Sequence, residues 1–291
     1  MHRYLRAVGF SNIENKKQVR ELLNDVIINP NRKEFIETGR DSILVEYSKN
    51  YCPTCGITLR GEYDDSNNLT LDFYYPFVQG DEVSTTEEVS VERHADKESF
   101  AGMCEDYRIG ATLIYYVQNG MIVMKNMKNG ELEKAQVPTY LSALSLGGTI
   151  MLPIKKDPKQ KELLQKASAD RSKRITAAKN GDEEAIEQLT LEDIDTYSAV
   201  SKRILKDDVF SLVDSYFMPN GVECDHYSIL AEIMDYRLET NTLSQENVYA
   251  FDLSCNGIAI TLCINEKDLL GEPEVGRRFR GNIWLQGEIR L

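Results

Sequence analysis

The densest run of ionisable side chains is Glu92-Arg93-His94-Ala95-Asp96-Lys97-Glu98, with Glu105, Asp106 and Arg108 a few residues on. A histidine among carboxylates is the raw material of a general base whose proton affinity its neighbours tune. His94, Asp96, Glu98, Asp106 and Arg108 are therefore the candidate small-ligand or hydrolase-like site. The competing reading is a charged strand-to-helix junction held by caps and surface ion pairs. It is preferred, because His94 shares the polar face of a strand with Glu92. Asp96 is read as capping a short helix that runs to about Arg108.

Cys52-Pro53-Thr54-Cys55 is the one metal-like signature. A structural zinc site takes four ligands, commonly from two such knuckles. No second CxxC occurs, and Cys224 with His226 is the only other close pair. Redox chemistry favours a helix N-terminus after the motif, whereas strand residues Gly56-Ile57-Thr58-Leu59 follow here. Cys52 and Cys55 are read as a turn carrying two free thiols, a weak metal candidate only, and no cofactor is expected. The third constellation is Arg277, Arg278 and Arg280 with Trp284. If Ile283, Leu285 and Ile289 face a core, Trp284 shares the outer face with Asn282 and Gln286. A lone Trp on a polar face marks a contact surface, unless the connector or the first domain covers it. No nucleophile elbow, phosphate loop, HExxH pair or kinase set is present.

The elements that must carry these residues follow from periodicity. Val19, Leu22, Leu23, Val26 and Ile27 form one helical stripe, capped by Asn15 or Ser11 and ended by Asn29-Pro30-Asn31. Alternation then predicts strands around Ile43–Tyr47, Ile57–Tyr63 and Leu69–Phe77, an antiparallel meander with one buried face, and a further strand at Val89–Arg93. Residues 111–127 fit either a buried helix or two strands. Gly147-Gly148 is expected to turn a hairpin between Leu141–Leu146 and Thr149–Ile154. Beyond residue 209 the period returns to two, and Asn256-Gly257 between alternating runs is a second hairpin signal. Several short strands with one helical crossover predict a small OB-like barrel.

Between these regions lies a polar stretch rich in Lys, Arg, Glu and Ala. From Lys155 to Lys179 it holds nine basic and three acidic residues. It is read as a charged helical connector with a solvated face. Asp182 is expected to recap it after Gly181, and Thr190 with Asp193 to start a further helix. The expected architecture is α+β: an N-terminal antiparallel-sheet domain (1–155), the connector (156–205) and a C-terminal OB-like β domain (206–291).

The 291-residue chain carries 47 acidic and 34 basic side chains, a net charge of −13. That balance disfavours nucleic acid and anionic membranes as partners. No apolar run is long enough to span a membrane, and the N-terminus lacks a signal-peptide pattern. Six cysteines without an export signal are expected as reduced thiols, hence a cytoplasmic location.

The strings MHRYLRAVGFS, VERHADKES, LTLEDIDTYS and INEKDLLGEPEVGRRFRGNIWLQG resemble an uncharacterised family of proteins from anaerobic clostridial gut bacteria. The resemblance runs nearly the full length. It implies a bacterial cytoplasmic protein, and it carries over no catalytic or ligand residue. The leading expectation is thus a non-enzymatic protein-interaction or scaffold module that binds a protein or other macromolecular partner. The alternatives are a ligand or hydrolase-like site at His94, and weak single-stranded nucleic-acid binding by the barrel.

Overall fold

The structure, a computed structural model, describes residues 2–37, 43–93, 99–106, 108–128, 135–154, 170–171, 173–175, 177–178, 181–191 and 213–290. A 3-10 helix, Arg3–Val8, opens the chain and stops at Gly9, whose left-handed φ of 88° suits glycine. Helix α1, Lys16–Ile28, follows. Asn15 caps it with a reciprocal box: its side chain accepts from the Gln18 amide, and the Gln18 side chain accepts from the Asn15 amide.

A four-stranded antiparallel sheet comes next, in order β1 (Arg32–Glu37), β2 (Ile43–Asn50), β3 (Cys55–Tyr63) and β4 (Leu69–Val78). Val45, Tyr47, Ile57 and Leu59 bury one face with the apolar stripe of α1. The opposite face carries polar pairs in register, Glu46 with Arg60 and Ser48 with Thr58. Both faces are therefore covered, although the alternation alone predicts one. The Arg60–Glu46 ion pair (2.6 Å) is almost wholly buried.

Strands β5 (Glu88–Arg93), β6 (Phe100–Asp106) and β7 (Ala111–Val117) lead into α2 (Gly120–Lys128), β8 (Ala135–Gln136) and β9 (Thr139–Met151). Two expectations are corrected here. The short helix ending near Arg108 is strand β6: Phe100, Gly102, Cys104 and Asp106 alternate inward, with Gly102 making room for the Tyr115 ring. Gly147-Gly148 turns no hairpin, because β9 runs straight through it. A side chain at Gly148 would meet the Phe279 ring at 2.2 Å, so close approach and not turning explains the glycine. The ambiguous run of residues 111–127 divides into β7 and α2.

Most of the connector lies outside the described residues. A helix at 183–191 is capped by Asp182, whose carboxylate accepts from the Glu184 and Ala185 amides. Thr190 sits inside that helix and donates to the Ile186 carbonyl; the further helix expected from Thr190 and Asp193 lies outside the described residues.

The last segment supplies β10 (Tyr216–Pro219), β11 (His226–Thr240), β12 (Asn247–Cys255), β13 (Ile258–Asn265), β14 (Leu269–Leu270) and β15 (Arg278–Ile289). Asn256 and Gly257 turn β12 into β13 with φ of 51° and 79°, as that dipeptide demands. The chain is α+β with a closed five-stranded barrel of OB-like size, in order β11-β12-β13-β9-β15 and back to β11. Its one parallel contact is β13 with β9. Four of these strands follow the connector, and β9 precedes it.

Ile229, Phe251, Ile260, Phe279, Ile283 and Leu285 fill the barrel. Its outward side chains Leu144, Val248, Ala250, Cys263 and Trp284 pack into the same cluster as α1 and the four-stranded sheet. Gln286 also faces outward and is fully buried there. It accepts from the Val78 amide and from Gln118, and donates to the Pro76 carbonyl.

Candidate functional site

Trp284 lies opposite His226 in the antiparallel pair β11–β15. Ile283 and Leu285 point into the barrel, which sends the Trp284 ring outward to the seam with the first sheet. Strand geometry thus agrees with the parity read from the sequence. The outer face is roofed, however, and the ring retains 5% exposure. Around it stand His2 (5.1 Å between ring centroids), Tyr4 (5.3 Å) and Tyr116 (5.3 Å). The backbone amide of His2 donates to the Tyr74 hydroxyl, which ties the N-terminus to β4.

These rings form one wall of an open cleft of about 1020 Å³, also lined by Leu71, Asp72, Phe73, Ser99 and residues 222–226. The β10–β11 loop brings the charged groups. Trp284 Nε1 donates to Asp225 Oδ2 (2.8 Å), and Asp225 Oδ1 lies 2.9 Å from His226 Nδ1. Burial opposes ionisation of Asp225, but the bonds from His226 and Trp284 outweigh it and hold its carboxyl below the usual carboxylate range. His226 Nε2 lies 2.7 Å from Arg3 Nη2 and 3.0 Å from Glu223 Oε2. A guanidinium only donates and a carboxylate only accepts, so the favoured partner of Nε2 changes with its protonation. Arg3 also pairs with Glu223 (3.1 Å), and its guanidinium carbon sits 5.0 Å from the Tyr4 ring centre. Burial pushes the Tyr4 phenol up to about 12, so it stays protonated.

The cleft therefore offers the half-buried rings of His2, Phe73, Tyr74 and Tyr116 over buried Tyr4 and Trp284, a carboxylate fixed on two sides, and an imidazole flanked by Arg3 and Glu223. Cys224 is the exposed member of six free cysteines and lines the same space.

Among the sequence-derived candidates, His94, Asp96 and Glu98 lie outside the described residues. Asp106 and Arg108 pair with each other (2.6 Å). Arg108 also donates to the Ser84 and Gly257 carbonyls (2.7 Å each), so it clamps the β6–β7 turn onto the Asn256-Gly257 turn. Arg277 pairs with Glu274 at 2.7 Å. Arg278 is buried and donates to the Leu152 and Val213 carbonyls. Arg280 is exposed on the strand between them and Trp284. The structure thus brings Trp284 into the cleft without the three arginines, none of which lines it. Cys52 and Cys55 are buried in the β2–β3 turn. Hydrogen bonding to Cys263 and Cys52, with burial, pushes the Cys55 thiol up. Among the described residues, no group of three or more His, Cys, Asp or Glu side chains is arranged to hold a metal ion.

Sequence reasoning missed His2, Arg3, Tyr4, Tyr116, Asp225 and His226 as members of one site. The signals present were the single Trp and the Cys224–His226 pair, which was weighed only as a metal-binding pair.

Fold and site define an α+β protein in which a five-stranded barrel and a four-stranded sheet enclose an aromatic cleft. The chain belongs to the family described as "Domain of unknown function, E. rectale Gene description (DUF3881)", which matches residues 5–287. That span covers both sides of the connector. No curated protein and no solved structure matches the chain. Among the described residues, no helix is long and apolar enough to cross a membrane.

Proposed function

We propose that this protein is a non-enzymatic cytoplasmic module that binds a protein partner through the Trp284 cleft. The observation that carries the reading is the Trp284–Asp225–His226 chain in the wall of a large open hollow. Aromatic anchors held by hydrogen bonds lose little freedom on binding, which is how contact hot spots are built. The rim supports it: Val222 is fully exposed and Leu71 is 42% exposed, both lining the cleft. Six free thiols agree with a reducing compartment.

The test is partner capture from native lysate by wild type and by the Leu71→Ser/Val222→Ser variant, whose exposed positions leave folding intact. Partners captured through the cleft should fall about tenfold in the variant. Equal capture of every partner by both proteins would remove the cleft from the account.

A further inference from the structure

The cleft already holds one cation. Arg3 is 58% exposed, yet its guanidinium lies over the Tyr4 ring and is paired to Glu223. An electron-rich ring beside a carboxylate is the standard environment for a guanidinium or ammonium group. The remaining charges point the same way. Glu223 and Asp225 line the cleft, and among the described lining residues Arg3 is the one Lys or Arg. The chain as a whole carries −13, so long-range attraction also favours a positive ligand. The volume far exceeds one side chain, and the β4 residues Leu71–Tyr75 form an extended wall beside the rings.

We infer that the cleft recognises a basic segment of its protein partner. One Arg or Lys side chain of that segment enters beside Tyr4 and Trp284, takes the place held by Arg3, and pairs with Glu223. The inference rests on the cleft reading above and adds the chemistry of its ligand.

Trp284 is the only tryptophan, so its emission reports on the cleft directly. The experiment titrates the full-length protein at low salt with three capped decapeptides, one Arg/Lys-rich, one Glu-rich and one of Gly and Ser. The basic peptide should change Trp284 emission saturably, with an affinity that falls as salt rises. The Glu223→Gln variant, altered at an exposed side chain, should bind it about three- to tenfold more weakly. Arg3→Ala should bind it more tightly, since an internal competitor is gone. No response to the basic peptide at millimolar concentration would overturn the inference. So would an equal response to the acidic or neutral peptide, or weaker binding by Arg3→Ala. If the basic peptide fails while partner capture still depends on Leu71 and Val222, the cation assignment falls and the cleft reading stands. If capture is also independent of those residues, both fall.

Discussion

Glu239 on β11 accepts both the backbone amide and the hydroxyl of Thr54, in the turn between Cys52 and Cys55. The two residues are 185 positions apart, and both are buried. A barrel carboxylate thereby satisfies a turn of the first sheet, and the two layers are joined by charge-assisted bonds. Glu239→Ala should cost about 2–3 kcal/mol, because it strands a buried amide, and Thr54→Val about 1 kcal/mol. Urea melts of both variants measure this. A loss below about 0.5 kcal/mol for Glu239→Ala would show that the contact contributes nothing net.

The two neighbouring glycines of β9 should behave differently. Neither has a left-handed φ, so only space matters. Gly148→Ala drives a methyl into the Phe279 ring and should destabilise by about 1–3 kcal/mol. At Gly147 nothing lies within 4 Å, and Gly147→Ala should stay within about 0.5 kcal/mol of wild type. A hairpin at this position would reverse expectations, with both substitutions harmful.

That pair also shows what the sequence disclosed and what it hid. Asn256-Gly257 and the alternation from Leu69 to Phe77 were legible because turn chemistry and one-sided burial act locally. Gly147-Gly148 was misread because the demand on it comes from Phe279, more than a hundred residues away. Likewise, Trp284 and Gln286 were rightly placed outside the barrel, but nothing local tells that Tyr4, His2 and Gln118 roof that face. The site was illegible for the same reason. Its members come from the N-terminus, β4, β7, the β10–β11 loop and β15, and only tertiary packing collects them.

Thiol reactivity checks the placement of the cleft loop. Five of the six cysteines are buried and Cys224 is exposed. Burial raises Cys104 and Cys255 to about 12, so their reactive thiolate forms are scarce at neutral pH. Native titration with a thiol reagent should modify one cysteine rapidly, and Cys224→Ser should abolish that reaction. Two or more fast thiols would contradict the burial of the Cys52–Cys55 turn.

Acid sensitivity follows from the paired carboxylates. Asp25, Asp106, Asp225 and Glu246 are all held below their ordinary range: burial opposes ionisation, but hydrogen bonds and ion pairs prevail. A carboxylate with a depressed folded-state pKa adds stability that is fully present above its unfolded pKa of about 4. The stability is lost as pH falls through the folded value. Stability should therefore be flat in this contribution near neutrality and drop below about pH 4. Asp106→Asn should shrink the drop, as read by urea melts from pH 3 to 7. An undiminished acid slope in that variant would mean the Asp106–Arg108 bond is not linked to folding.

The Trp284 cleft is assembled from both sides of the connector. Strand β9 completes the barrel, and Tyr4 and Tyr116 cover the indole, yet all three precede residue 155. The most direct test is Trp284 emission during thermal melting of a 206–291 fragment, alone and mixed with a 1–155 fragment. Red-shifted, water-exposed emission and no cooperative melt are expected for 206–291 alone. A blue-shifted indole with a cooperative melt in the isolated fragment would contradict that assembly.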